Sequence, residues 1–219
     1  KYLPKAYAVI TNSELIKKDI VKFYNVDEKR IVIVFHQPSS QVLNFKHDSE
    51  KETKIIKKYN LPKFFFFYPA QYWPHKNHIY LVDGLEVALK ELKFEISAVF
   101  CGSDKGNLNF VKDYCERKKL NDKILFLDFV EDYEIPYLYK LSTAIVMPTY
   151  FGPTNLPPLD AFQMGVPVIY SNFSDFKKEF ENSVLYTDLN DPSSLAKNLK
   201  KLNENEKMRQ ELIEEGKRK

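Results

Sequence analysis

Lys76 stands in the segment Gln71-Tyr72-Trp73-Pro74-His75-Lys76-Asn77, which ends where a helical pattern begins. A cation at a helix N-terminus works against the helix dipole by about 0.3–1 kcal/mol, so this lysine is badly placed unless an anion sits beside it. Two roles are open to it: a point charge on a phosphate, or a solvated surface lysine. A second segment, Tyr150-Phe151-Gly152-Pro153-Thr154-Asn155-Leu156-Pro157-Pro158-Leu159-Asp160, leaves an apolar run, makes a Gly-Pro turn and enters a helix near Pro157-Pro158. Proline suits a first helical turn, Thr154 or Asn155 suits the cap, and free N–H groups at such a start bind anions. Asp160 falls in the first turn on this reading. Its carboxylate either accepts two hydrogen bonds from a ribose diol or only complements the dipole.

Other chemistries lack their residues. His75 and His78 have no Glu between them and no third ligand, and His36 and His47 lie in unrelated segments. The pair reads as surface imidazoles, and no metal site is expected. No glycines are spaced as G-x-G-x-x-G, and neither a Walker P-loop nor a G-x-S-x-G elbow occurs. The aromatic run Phe64–Tyr68 reads as a buried strand rather than a stacking platform.

The elements that must position these residues follow from short apolar runs. Tyr7–Ile10, Ile31–Phe35, Phe64–Tyr68, Ile96–Phe100, Ile124–Leu127, Ala144–Met147, Val166–Tyr170 and Val184–Tyr186 are rich in β-branched or aromatic residues. Most lack polar alternation, which predicts strands covered on both faces. Helix-sized segments separate them: Ile79–Leu92, with Val82, Leu85, Leu89 and Leu92 on one face, then Asn107–Leu120 and Pro192–Leu202. This alternation predicts an α/β fold with a doubly wound parallel sheet. Ligands of such sheets bind beyond the carboxyl ends of the strands. The segments to search are therefore Gln71–Asn77, Gly102–Gly106, Phe129–Tyr133, Thr149–Pro157 and Ser171–Asp175. A polar, turn-rich stretch at 36–45 reads as a linker, making 1–35 the tail of a preceding domain and 46–219 the main domain.

Composition narrows the class. Of 219 residues, 44% are hydrophobic and 29% charged, which excludes global disorder, collagen-like sequence and a disulfide scaffold. A net charge of +3 gives no argument for a nucleic-acid partner. Cys101 and Cys115 read as reduced thiols of a cytosolic protein. The longest apolar run, Phe64–Ala70, is far short of the ~20 residues of a spanning helix. The chain opens on Lys1-Tyr2-Leu3 with no signal peptide and no Met, and reads as a piece of a longer protein. Its Lys, Asn, Ile, Phe and Tyr usage points to an AT-rich bacterial genome.

In order along the chain, these segments resemble the GT-B glycosyltransferases of family 4, also called group 1. Ala8-Val9-Ile10-Thr11-Asn12-Ser13-Glu14 is similar to the family's last acceptor-domain strand and helix, and Gln37-Pro38-Ser39 falls at its interdomain crossover. Phe67 to Asn77 resembles the Gly-Arg-Leu…Lys-Asn loop, Gly102 ends the next strand, and Phe129-Val130…Leu138-Tyr139 resembles the base-binding loop and its helix. Leu156 to Ile169 is close to the family's most specific stretch. The resemblance implies a Rossmann-like half of a GT-B fold, the donor-binding domain of a retaining glycosyltransferase. It implies that Lys76 binds the donor diphosphate, with Gln71 and Asn77 in the same loop. It further implies that Phe129 and Val130 hold the nucleobase, that Thr154, Asn155 and Leu156 present amides to diphosphate and sugar, and that Asp160 holds the ribose. The partners implied are a nucleotide-sugar donor and a glycan or lipid-linked acceptor, the latter held by an N-terminal domain outside this sequence. No metal cofactor is implied. Bacterial surface polysaccharide synthesis and a cytoplasmic site, at the inner face of the membrane, go with it. On its own this piece is expected to bind nucleotide without turnover.

The sequence also departs from the family. Gln71 replaces a diphosphate-contacting Arg, Gly152 replaces the first Glu of a Glu-x7-Glu motif, and Asp160 replaces the second. A subset of the family with an aromatic-Gly-Pro-Thr-Asn loop is similar in this respect. The missing charges raise a second reading, a catalytically inactive nucleotide-sugar-binding module. A third, a GT-B-shaped epimerase, needs an acid–base pair that the cleft segments do not offer.

Overall fold

A computed structural model describes residues 2–151 and 156–219. The chain runs β1 (Val9–Thr11), α1 (Glu14–Tyr24), β2 (Ile31–Ile33), α2 (Ser40–Leu43), α3 (Ser49–Tyr59), β3 (Phe65–Pro69), α4 (His78–Lys90), β4 (Ser97–Cys101) and α5 (Leu108–Lys118). It continues β5 (Ile124–Leu127), α6 (Ile135–Leu141), β6 (Ala144–Met147), α7 (Leu156–Met164), β7 (Val168–Ser171), α8 (Ser174–Phe180), β8 (Leu185–Thr187), α9 (Pro192–Glu204) and α10 (Glu206–Lys217).

Six strands form one parallel sheet in the order β5-β4-β3-β6-β7-β8. Helices cover both faces, so central strands carry apolar side chains on both sides. Phe65, Phe66, Phe67 and Tyr68 are accordingly all buried, whereas Phe64, expected in the same buried strand, precedes β3 and is exposed. Strand β7 starts at Val168 rather than Val166, and the end of α7 explains why. Gly165, at φ +68, donates to Phe162, and Val166 N–H donates to the Ala161 carbonyl at 2.8 Å. Val166 is thus spent on closing the helix, in a Schellman-type end.

Strand order reverses between β3 and β6. In open α/β sheets that reversal opens a crevice at the carboxyl ends of the strands, where the loops after β3 and β6 diverge.

Strands β1 and β2 form a separate two-stranded parallel sheet, with its own small cluster of Val9, Ile20, Val26 and Ile31. Ile10 (72% exposed), Val32, Val34 and Phe35 are left largely open on it. Residues 36–45, expected as linker, include α2, whose Val42 is buried and which packs on α6 and α7. Among the described residues, no helix is long and apolar enough to cross a membrane.

Candidate functional site

The loops after β3 and β6 are tied together at the crevice. The His75 carbonyl accepts from Tyr150 N–H at 3.0 Å and from Thr149 Oγ1 at 3.3 Å. Ser171 Oγ, at the end of β7, donates to the carbonyls of Met147 (3.1 Å) and Thr149 (2.7 Å). Buried Tyr68 donates its hydroxyl to the Lys76 carbonyl at 2.8 Å. The backbone that carries Lys76 is therefore held from below by β3 and from the side by the β6 loop.

Pro74–Lys76 forms a single 3-10 turn, Asn77 adopts the left-handed conformation (φ 56), and α4 begins at His78. Lys76 is half-buried, and burial lowers its pKa, with no acidic neighbour among the described residues opposing the shift. A cation in that position is desolvated without compensation, which fits an anion site better than a surface lysine. Asn77 lies beside it with its Nδ2 buried and, among the described residues, unpartnered.

His78 corrects the reading of surface imidazoles. It is fully buried, stacked on Tyr72 (4.5 Å, 23°) and packed against Tyr68 and Phe100. Burial pushes its pKa down to about 3, outweighing the nearby Ala70 carbonyl, and neither ring nitrogen makes a full hydrogen bond among the described residues. Its place on the buried face of α4 follows the helical period through Leu81, Val82 and Leu85. Among the described residues, no three His, Cys, Asp or Glu side chains group as metal ligands.

Gly102 ends β4 against the β3 loop. A Cβ there would lie 2.3 Å from the Ala70 carbonyl oxygen and 2.8 Å from Gln71 N, so only glycine lets the two backbones approach. The next residues continue the contact, with Tyr72 N–H donating to the Ser103 carbonyl at 3.1 Å.

Asp160 is placed differently from the expectation. Helix α7 begins at Leu156, so Asp160 lies beyond the first turn, and it is buried. Its Oδ1 accepts from Ser39 N–H at 2.6 Å. Burial raises its pKa and the Ser39 contacts oppose that rise. The helix start is also poorer in donors than expected. Pro157 and Pro158 have no N–H, which leaves Leu156 as the one backbone donor among the first three described positions of α7. Gly152, Thr154 and Asn155 lie outside the described residues.

Phe129, 76% exposed, and buried Val130 occupy the loop after β5. That loop is anchored by Glu134, a residue sequence reasoning missed. Its buried carboxylate accepts from Lys58 Nζ (2.8 Å), from the Tyr59 hydroxyl and from Glu131 N–H (3.2 Å). Burial pushes the Glu134 pKa up, but the hydrogen bonds from Lys58, Tyr59 and Glu131 outweigh it and hold the pKa below the ordinary value. Such a group stabilises the fold above its unfolded pKa, and the contribution is lost as pH falls through the lowered folded value. Glu134→Gln is expected to cost about 2 kcal/mol at neutral pH. The difference from the unsubstituted chain should shrink below roughly pH 4. Melting curves across that range check it.

Comparison with known proteins bears on the whole arrangement. The family profile described as "Glycosyl transferases group 1" matches residues 49–219. The O-antigen chain mannosyltransferase RfbU of Salmonella typhimurium is 26% identical over 89% of this chain and 50% of its own length. The O-antigen chain mannosyltransferase B of Escherichia coli is 24% identical over 89% and 51%. The chain thus spans about half the length of these relatives. Among solved structures, a glycosyltransferase from Rickettsia africae superposes with a TM-score of 0.85 at 21% identity, covering 99% of this chain and 60% of that one. Alr3699/HepE of Anabaena, solved with UDP, gives 0.81 at 15% identity, covering 97% and 58%. The doubly wound sheet is therefore the Rossmann-like half of a GT-B fold, and the chain belongs to the group 1 glycosyl transferases.

Proposed function

We propose that residues 46–219 are the donor-binding domain of a retaining glycosyltransferase of bacterial surface polysaccharide synthesis. Residues 1–35 are then the tail of an N-terminal acceptor domain, joined through 36–45. The observation that carries the reading is Lys76, a half-buried cation that no acid among the described residues opposes at the crevice of the sheet. The O-antigen mannosyltransferase names of two relatives and the UDP held by the Anabaena protein support it. The open apolar residues of β1 and β2 support further chain packing there.

In this reading the acceptor hydroxyl attacks the anomeric carbon on the face the diphosphate leaves. The new glycosidic C–O bond forms as the sugar–phosphate bond breaks, and the hydroxyl proton passes to a diphosphate oxygen. Lys76 stabilises the charge that grows on the diphosphate. Asp160 accepts from the ribose hydroxyls, with Ser39 holding its carboxylate in place. Phe129 and Val130 line the base, and Leu156 offers its N–H to the donor. The acceptor is a glycan or lipid-linked saccharide, and the enzyme works in the cytoplasm at the inner face of the membrane. Gln71, which carries no charge, favours one alternative, a nucleotide-sugar-binding module without turnover.

Trp73 is the chain's single tryptophan and lies in the Lys76 loop, so its emission reports on this crevice. Titration with UDP, GDP, dTDP and ADP, checked by calorimetry, should give saturable binding of one of them. Binding of none, by this chain and by the full-length parent, would overturn the donor reading. Turnover by the parent decides between enzyme and module.

Asp160→Asn separates stability from binding. Because burial raises the Asp160 pKa, its charge costs stability at neutral pH, and the cost fades as pH falls through the raised value. The variant should melt higher without ligand, with less advantage in acid. It should bind nucleotide roughly tenfold more weakly, since the amide oxygen stays with Ser39 N–H and the ribose hydroxyls meet an NH2 donor where the carboxylate offered an acceptor.

A further inference from the structure

We infer that Trp73 is a positioning residue: its indole fixes the Gln71 amide so that both amide hydrogens are left to the diphosphate. The inference rests on the donor-binding reading. Gln71 is exposed, and an exposed amide rotates freely. Its two ends have opposite meaning for an anion, because the N–H2 attracts it and the oxygen repels it. A glutamine that samples both orientations is a poor substitute for a cation.

Trp73 removes that freedom. Its Nε1 lies 3.0 Å from Gln71 Oε1. An indole N–H only donates, so the glutamine must turn its oxygen to the ring, and its nitrogen faces elsewhere with two unused hydrogens. The chemistry of the pair sets the orientation, which leaves no choice of amide flip.

The indole is itself held. Trp73 N–H donates to the Gln71 carbonyl at 2.8 Å, closing a tight turn that Pro74 follows. The Trp73 ring stacks on His75 (6.3 Å, 24°), and the His75 ring meets Phe151 edge-on at 5.4 Å. The His75 carbonyl is also the anchor of the β6 loop. Burial, and secondarily the Lys76 charge, lower the His75 pKa, so this imidazole adds no charge of its own near neutrality. On this inference the loop from Gln71 to Asn77 offers an anion one lysine charge and one oriented neutral donor pair.

A double-mutant cycle on the 219-residue chain tests it, read by calorimetry with inorganic pyrophosphate and with the nucleoside diphosphate that binds. Trp73→Phe removes the N–H and keeps a ring to stack on His75. It should weaken pyrophosphate about five- to tenfold when Gln71 is present and less than about twofold in a Gln71→Ala background. Both side chains are exposed or partly so, and melting curves confirm that each variant folds. Equal weakening in both backgrounds would mean that the indole touches the ligand or holds the loop by itself, and would overturn the inference. So would no weakening in either. If neither the unsubstituted chain nor the full-length parent binds either probe, the donor reading fails first, a result distinct from an additive cycle.

Discussion

Gly102→Ala is expected to cost about 3 kcal/mol, at the upper end of overpacking penalties, and to disable the nucleotide site with it. The added carbon meets the Ala70 carbonyl oxygen at 2.3 Å, its carbon at 2.5 Å and Gln71 N at 2.8 Å. All three are backbone atoms, so no side-chain rotation relieves the contact. Nor can the backbones separate easily. Strand pairing joins Pro69 to Cys101 just before the contact, and the Tyr72–Ser103 hydrogen bond joins the chains just after it. The strain must therefore be released by displacing the segment from Ala70 to Asn77, which carries Gln71, Trp73 and Lys76. For a chain of this size the expected fall in melting temperature is roughly 6–12 °C. Nucleotide should restore less of it than in the unsubstituted protein, because the loop that binds is the loop that moved. Melting with and without saturating nucleotide measures both. A variant that melts within about 2 °C of the original would show that the loop yields without cost.

The same segment shows what could be read from sequence. Ile124–Leu127 and Ala144–Met147 were legible to the residue, because uninterrupted apolar runs between turns favour strands of a covered sheet, β6 at its centre and β5 at its edge. Lys76 stood out as a candidate because its charge conflicts with the helix it precedes, a conflict visible without coordinates. Asp160 was legible as a candidate but not in its setting. Whether it lay in the first turn depended on the start of α7, and helix starts are poorly marked where two prolines adjoin. Its partner Ser39 is 121 positions away, and the Lys58–Glu134 pair spans 76. Local pattern carries no record of such pairings, since any exposed-looking carboxylate offers the same signal. His78 was misread for the opposite reason. A His-x2-His spacing draws attention to metal chemistry, while the face of α4 it occupies is the apolar one. The family resemblance supplied roles for positions 71, 76, 129, 130 and 160, but not the groups that hold them.

Lys76→Ala should weaken nucleoside diphosphate binding on the order of 100-fold, about 2.8 kcal/mol, while leaving the unliganded fold no less stable. The two halves of that expectation have one cause. Burial lowers the Lys76 pKa because its charged form is desolvated, and no acidic neighbour among the described residues offsets the loss. In the unliganded protein the charge is a liability, so its removal releases a cost, and Tyr68 and Trp73 bond only to the Lys76 backbone. With a diphosphate in place the same charge gains a partner in a partly dry site, where a charge-assisted hydrogen bond is stronger than at the surface. The sign of the pH dependence follows. A cation with a lowered pKa loses its proton at a lower pH than an ordinary lysine, so affinity should fall as pH rises through that value. Lys76→Arg keeps its proton across the whole range and should flatten the profile, at reduced affinity because the longer, planar group is built for another geometry. Calorimetry from neutral to alkaline pH on the three proteins reads the slope directly. An alanine variant that binds as the original does would return Lys76 to the solvated surface and remove the charge on which the donor site is argued.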